Sequence, residues 1–262
     1  MAYVTANGIR LYYEERGSGA PILGVHGAGS SAVFWEDAAD ELSGLGRVII
    51  YDRRGSWRSD RPEPYETTSV QEHAEDARAL MHELDAEPAI LIGRSYGGTV
   101  ALDLALRHPH SVLALALLEA GPMGLAPEYD AWFTSVYAKL EELAGAGRID
   151  AIGEAVLRDV FGAWEELPEA YREIFTANGA ALLAEVRGGE RTDNSLLHGL
   201  KAPTLIVTAE DSPPPLQHGS EALERALPQA RTARVRGGHA IDPAGPDVLA
   251  FVSDVLALVA RP

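Results

Sequence analysis

Residues 88–102 read Pro-Ala-Ile-Leu-Ile-Gly-Arg-Ser-Tyr-Gly-Gly-Thr-Val-Ala-Leu, and this stretch decides the fold. Positions 89–92 form a short, uninterrupted aliphatic run, which is typical of a strand buried on both faces. After Gly98 the apolar residues recur at helical spacing until His108-Pro109, where the proline ends the helix. The pattern therefore places Ser95 in a sharp turn between a buried strand and a helix.

Glycines stand two residues before and two residues after this serine, at Gly93 and Gly97. A turn that lifts a serine above a sheet edge is strained, and glycine relieves the crowding of the neighbouring backbone. Gly-x-Ser-x-Gly between a strand and a helix is the nucleophile elbow. On this motif, and on the order of elements along the chain, the sequence resembles the α/β-hydrolase superfamily over essentially its whole length.

Composition narrows the functional classes. The chain has 262 residues, a formal net charge of −17 and no cysteine. The negative charge argues against binding to nucleic acids and to anionic membrane surfaces. The lack of cysteine excludes disulfides, thiolate metal sites and a cysteine nucleophile. No basic, apolar leader begins the sequence and no apolar run approaches ~20 residues. We expect a cytoplasmic enzyme, monomeric or homodimeric, without nucleic-acid or membrane partners.

Apolar runs that alternate with helical patterns predict a mostly parallel, eight-stranded sheet with helices on both faces. We expect residues 1–122 and 200–262 to form this α/β core. Residues 123–199 have a helical pattern throughout, and the resemblance implies a helical cap inserted at this point, after the sixth strand. An apolar substrate pocket beneath the cap is expected to use its aromatic residues; the candidates are Trp132, Phe133, Tyr137 and Trp164.

The predicted oxyanion donors lie in two loops at strand ends. His26-Gly27-Ala28-Gly29 follows a buried strand, and the resemblance places one oxyanion N–H at Gly27 or Ala28. Acyl transfer builds negative charge on the carbonyl oxygen, and two backbone N–H groups usually hold it. The second of these N–H groups is that of Tyr96, directly after the serine. His26 itself is expected to have a structural role under the loop.

The loop at 52–59 resembles the D-x-R-G-x-G-x-S loop of the superfamily, with Trp57 in place of the second glycine. This departure predicts an aromatic side chain near the pocket rim or a locally different turn. We expect Asp52 and Arg54 to brace the loop as an ion pair. His73, on the amphipathic helix predicted next, is expected to face solvent.

Serine becomes a good nucleophile only when a base takes its proton and a third group orients that base. The resemblance assigns the base to His239, which follows the last strand on a Gly-Gly loop. The usual position of the acid, three residues beyond Ala209, holds Ser212, and Asp211 lies one position early. Some branches, among them zearalenone-type lactone hydrolases, carry the acid after the preceding strand, which corresponds here to Glu119. We favour Glu119, with Asp211 as the alternative.

A serine nucleophile with an oxyanion hole indicates acyl chemistry, so the predicted substrate is a small carboxylic ester or lactone. Epoxide hydrolases and haloalkane dehalogenases use a carboxylate nucleophile for alkyl transfer, which Ser95 disfavours. The alternatives are carbon–carbon bond hydrolysis or perhydrolysis on the same triad, and a non-catalytic ligand-binding homologue. No metal or cofactor is implied.

Overall fold

Eight strands form one sheet in the structure, a computed structural model that describes residues 2–160, 162 and 164–260. Their spatial order is β1-β2-β4-β3-β5-β6-β7-β8, in which β1 and β2 pair antiparallel with their neighbours and all other pairs are parallel. The predicted mostly parallel eight-stranded sheet is confirmed. The strands are β1 Ala2–Ala6, β2 Ile9–Arg16, β3 Pro21–Val25, β4 Arg47–Tyr51, β5 Ala89–Arg94, β6 Val112–Leu118, β7 Thr204–Ala209 and β8 Arg231–Val235.

Helices cover both faces of the sheet because its central strands are apolar on both sides. The described α-helices are α1 Glu36–Leu42, α2 Val70–Glu83, α3 Tyr96–Arg107, α4 Pro127–Gly145, α5 Ile152–Val160, α6 Glu169–Ala177, α7 Gly179–Gly188, α8 Pro214–Ala226 and α9 Pro246–Val259. Buried residues of α2, α3 and α8 pack in one apolar cluster, and those of α1 and α9 pack in the cluster on the opposite face. None of these helices is long and apolar enough to cross a membrane.

The helices α4 to α7 lie between β6 and β7, within residues 123–199, and we call this stretch the helical insertion. One link to the core is Asn178, which is fully buried at the start of α7. Its amide nitrogen donates to the carbonyls of Gly29 and Ser30, and its amide oxygen accepts a hydrogen bond from the backbone N–H of Trp57. The insertion is therefore fixed to two loops at the carboxyl edge of the sheet.

Parallel strands bring the loops that follow them to this same edge. Ser95 follows β5 directly, Glu119 follows β6, Ser212 lies beyond β7 and His239 lies beyond β8. Residues far apart in the sequence thereby meet above the sheet.

One expectation for the loop after β4 is wrong. Asp52 and Arg54 do not pair with each other. Asp52 binds Arg58, with 2.7 Å between Oδ2 and Nε, while Arg54 binds Asp76 on α2. The reason is that each side chain meets a separate partner, Arg58 within the loop for Asp52 and Asp76 on α2 for Arg54.

The expectation that His73 faces solvent is also wrong. The side chain is fully buried on α2, edge-on to the ring of Tyr96 and within hydrogen-bond distance of Arg53. Burial and the neighbouring Arg53 guanidinium lower the pKa of His73 well below its usual range. The imidazole is therefore neutral and belongs to the polar interior of the core.

Candidate active site

Ser95 occupies the strained turn that the motif predicts. Its backbone has φ +55° and ψ −127°, a conformation that side-chain-bearing residues rarely adopt. A Cβ on Gly93 would lie 2.4 Å from the carbonyl oxygen of Gly97, and a Cβ on Gly97 would lie 2.3 Å from that of Val25. Both positions therefore require glycine, and the turn places Ser95 at the amino end of α3, where partial positive charge collects.

His239 and Glu119 form a buried pair close to this turn. Nδ1 of His239 lies 2.5 Å from Oε2 of Glu119, and both side chains are almost completely shielded from solvent. The same carboxylate accepts hydrogen bonds from Ser212 Oγ at 2.7 Å and from the backbone N–H of Ala209 at 2.9 Å. Three donors thus fix the orientation of the carboxylate.

The two candidate acids occupy different positions. Glu119, with φ +47° directly after β6, points its carboxylate to the imidazole of His239. Asp211 lies at the surface, where its Oδ2 accepts a hydrogen bond from the backbone N–H of Gly237 at 3.1 Å. The structure therefore brings Glu119 to the histidine and uses Ser212, at the usual acid position, as a donor to that same carboxylate.

The loop after β3 lies directly against Ser95. A Cβ on Gly27 would stand 3.4 Å from the Cβ of Ser95 and 3.2 Å from the carbonyl oxygen of Arg94. His26 anchors this loop, since its Nε2 accepts the backbone N–H of Arg53 and its Nδ1 donates to the Gly27 carbonyl at 2.8 Å. Burial and Arg53 lower the pKa of His26 well below its usual range, so this imidazole is neutral and structural.

The backbone of Gly27, Ala28 and Tyr96 lines one wall of a cavity of about 90 Å³ that also contains Ser95 and His239. We call it the serine cavity. Tyr96 is the first residue of α3, and the first N–H groups of a helix have no partner within the helix. The residues predicted to supply the oxyanion donors and the nucleophile therefore line one cavity.

The helical insertion forms the opposite, mainly apolar wall of the serine cavity. Of the predicted pocket residues, Trp132 and Phe133 line it. Tyr137 does not, because it lies at the edge of the inward-facing stripe of α4 and is 37% exposed. Trp164 borders a separate surface depression instead. Further lining side chains on this wall are Val136, Val156, Phe175, Leu182 and Val186.

Two buried glutamates in the wall of this cavity are not predicted from the sequence. Glu185 lies 2.7 Å from Nη1 of the buried Arg53. Glu190 accepts hydrogen bonds from Thr99 at 2.6 Å and from the hydroxyl of Tyr129, and burial raises its pKa to about 7. Helical spacing marks Glu185 as solvent-facing and Glu190 lies in the loop after α7, and only the packing of the insertion on the core buries them.

A second, larger space of about 950 Å³ lies beside the serine cavity and is lined by Asp211, Gly237, Gly238, Ile241 and Asp242, with Arg158 and Arg236. We call it the histidine groove. Arg94, Phe175 and His239 line both spaces, so the two meet at these side chains. The described residues include no cluster of histidine and carboxylate side chains that could hold a metal ion.

Comparisons with known proteins agree with this architecture. The curated relatives include the "Putative carbamate hydrolase RutD" of Azorhizobium caulinodans, 27% identical over 95% of each chain. They also include the "Uncharacterized hydrolase YraK" of Bacillus subtilis, 39% identical over 40% of this chain, a match that spans only 39% of that protein. Among solved structures, the N-acyl homoserine lactone degrading enzyme Est816 superposes with a TM-score of 0.71 at 25% identity, over 98% of this chain and 99% of its own. The family model described as the alpha/beta hydrolase fold matches residues 20–241, and the chain belongs to that family.

Proposed function

We propose that this protein hydrolyses a carboxylic ester or lactone through an acyl-enzyme on Ser95, with His239 as the general base and Glu119 as the acid that orients it. The observation that carries the proposal is the 2.5 Å contact between His239 Nδ1 and Glu119 Oε2 at the edge where Ser95 stands in its strained turn. A carboxylate on Nδ1 leaves Nε2 as the nitrogen that takes the proton of a serine.

The reaction follows from these positions. Ser95 Oγ attacks the substrate carbonyl while His239 takes its proton, and the N–H group of Gly27 or Ala28, together with that of Tyr96, holds the oxyanion. The acyl–oxygen bond then breaks, and the imidazolium returns the proton to the leaving alkoxide. Water, deprotonated by the same imidazole, attacks the acyl-enzyme and releases the carboxylic acid and free Ser95.

The surroundings of the site suit this chemistry. The serine cavity is small and mostly apolar, which favours a short acyl group. A lactone is an ester whose leaving alcohol stays attached to the acyl group, so the same steps open a ring. That Est816 degrades a lactone on a similar fold supports the inclusion of lactones.

Hydrolysis of p-nitrophenyl butyrate and of γ-butyrolactone by the wild type and by Ser95→Ala tests the proposal. The wild type is expected to hydrolyse at least one of them, and Ser95→Ala is expected to lose about a thousandfold or more in kcat. Ser253→Ala, at an exposed position on α9, is the matched control and should retain full activity. A wild type inactive on both substrates, or a Ser95→Ala variant as active as the wild type, would overturn the proposal.

A further inference from the structure

Arg94 is a cation that neither the fold nor the proposed mechanism explains. It directly precedes Ser95 and lines both the serine cavity and the histidine groove. Its guanidinium donates a single hydrogen bond to the described residues, from Nη1 to the carbonyl oxygen of Ile241 at 3.2 Å. No carboxylate of the described chain lies within ion-pair distance of it.

The guanidinium of Arg94 is partly buried, between the serine cavity and the histidine groove. Burial lowers the pKa of Arg94 to about 10, and Asp242 opposes this effect only from a distance. Arginine carries five N–H donors, and one of them is used within the described residues. The fully buried Arg53, in contrast, is paired with Glu185. The remaining donors of Arg94 can therefore bind an anion that comes from outside the chain.

Charge decides on which side of Arg94 this anion binds. The wall of the serine cavity contains the carboxyl groups of Glu185, which is paired with Arg53, and of Glu190, and its described lining residues supply no lysine or arginine other than Arg94. The histidine groove contains two further arginines, Arg158 and Arg236, together with the exposed carboxylates of Asp211 and Asp242. Arg158 is already paired with Glu154, so Arg94 and Arg236 are the groove's available cations.

The chemistry of the site identifies the part of the substrate that lies there. The acyl carbon must lie at Ser95 and the oxyanion donors, which line the serine cavity. The leaving oxygen must face the imidazole that protonates it, and His239 lines the histidine groove as well as the serine cavity. The alcohol portion of an ester therefore lies in the groove, beside Arg94.

We propose that the preferred substrates are esters, or lactones, whose alcohol portion carries a carboxylate, and that Arg94 binds this carboxylate. The inference rests on the proposed function, because it names the substrate class of that same site. Guanidinium and carboxylate form two parallel, charge-assisted hydrogen bonds, which neither lysine nor a neutral donor reproduces. Hydrolysis of such an ester releases a simple carboxylic acid and a hydroxy acid.

The first test uses two substrates that differ only in charge, O-butyryl glycolate and the neutral O-butyryl glycolamide. The measured quantity is the ratio of their kcat/KM values in the wild type, Arg94→Gln, Arg94→Lys and the control Arg231→Gln. Arg231 is an exposed arginine on β8 that pairs with Asp254 and lines neither space. The ratio corrects for any difference in intrinsic reactivity and for any general loss of activity.

We expect Arg94→Gln to lower the glycolate-to-glycolamide ratio about tenfold or more, mainly through KM, because a hydrogen bond to a charged group is lost. Arg94→Lys should recover part of the ratio, and Arg231→Gln should leave it unchanged. A brace that only supports the loop at Ile241 would lower both kcat/KM values equally. An unchanged ratio in Arg94→Gln would therefore overturn the proposal.

Calorimetric binding of the same two esters to Ser95→Ala separates this inference from the proposed function. We expect the glycolate ester to bind about tenfold or more tightly than the amide, and the added Arg94→Gln substitution to remove the difference. If neither ester is hydrolysed by the wild type but the binding preference is present, the proposed function fails and the anion site stands. If hydrolysis depends on Ser95 but binding shows no charge preference, the anion site alone is refuted.

Discussion

Nδ1 of His239 lies 2.5 Å from Oε2 of Glu119, although the two residues are 120 positions apart in the chain. Glu119 reaches the imidazole from the end of β6, and Ser212, beyond β7, donates to the same carboxylate oxygen. An aspartate at position 212 would compete with Glu119 for this place, since two carboxylates cannot share one imidazole without repulsion. The serine and the glutamate are therefore complementary parts of one arrangement.

Glu119→Gln is expected to lower kcat by about a thousandfold to ten-thousandfold, because an amide favours the wrong tautomer of the histidine. Asp211→Asn, the matched control at the alternative acid, should change kcat by less than about threefold, as its carboxylate bonds only loop backbone. Steady-state kinetics on p-nitrophenyl butyrate measure both. A severe loss in Asp211→Asn with little loss in Glu119→Gln would show that the other acid serves the histidine.

Ser212→Ala removes one of the donors that hold Glu119. Because the lost hydrogen bond is to a charged group, worth about 1.5–3 kcal/mol, kcat should fall about tenfold to a hundredfold, short of the loss in Glu119→Gln. Ser212→Thr, which keeps the hydroxyl, should recover activity. A Ser212→Ala enzyme with unchanged kcat would mean that Ala209 and His239 suffice to orient the carboxylate.

The buried Glu190 gives a pH dependence of stability. Burial raises its folded pKa to about 7, above the ordinary value of 4.5, so the folded state retains a proton that the unfolded state has lost. This contribution lowers the free energy of unfolding as pH rises from about 4.5 to about 7. The amide in Glu190→Gln cannot lose a proton. As pH rises across this window, the free energy of unfolding of this variant should therefore increase by about 3 kcal/mol relative to that of the wild type.

Urea unfolding at pH 5, 6 and 7.5 measures this difference. Glu142→Gln, at an exposed position on α4, is the control, and its free energy of unfolding should change with pH as that of the wild type does. If Glu190→Gln also runs parallel to the wild type between pH 5 and 7.5, Glu190 titrates normally and its burial has no effect on its charge.

Gly97→Ala tests the close packing of the turn. The new Cβ would lie 2.3 Å from the carbonyl oxygen of Val25 and 2.4 Å from that of His26, so the backbone must move. We expect a loss of about 3 kcal/mol or more in the free energy of unfolding, at the upper end of overpacking costs. Gly145→Ala, where nothing lies within 4 Å of the new Cβ, should be neutral or stabilising by up to about 1 kcal/mol. Equal stabilities of the two variants would contradict this account.

Much of the fold follows from local sequence pattern. The apolar runs of β5 and β6 and the helical spacing of α3 depend on neighbouring residues alone, so their prediction is confirmed. The positions of Ser95, Glu119 and His239 at strand ends follow from the same pattern, because parallel strands bring their carboxyl ends to one edge. The roles given to these three residues stay predictions.

The buried charges could not be predicted in this way. His73 and Glu185 lie on helices whose pattern assigns charged residues to solvent, and their burial requires Arg53 from a different part of the chain. Arg94 gives no sequence signal of its own either, because its environment depends on the loop at Ile241. Such partners are set by tertiary packing, which periodicity does not report.

The central claim is that Ser95 carries the acyl group during turnover. Acid quenching of the wild type within its first turnovers of p-nitrophenyl butyrate, followed by proteolysis and mass spectrometry, tests it directly. We predict a butyryl mass increase on the peptide that contains Ser95, absent in Ser95→Ala. Turnover with unmodified Ser95, or with the butyryl group on another residue, would contradict the account.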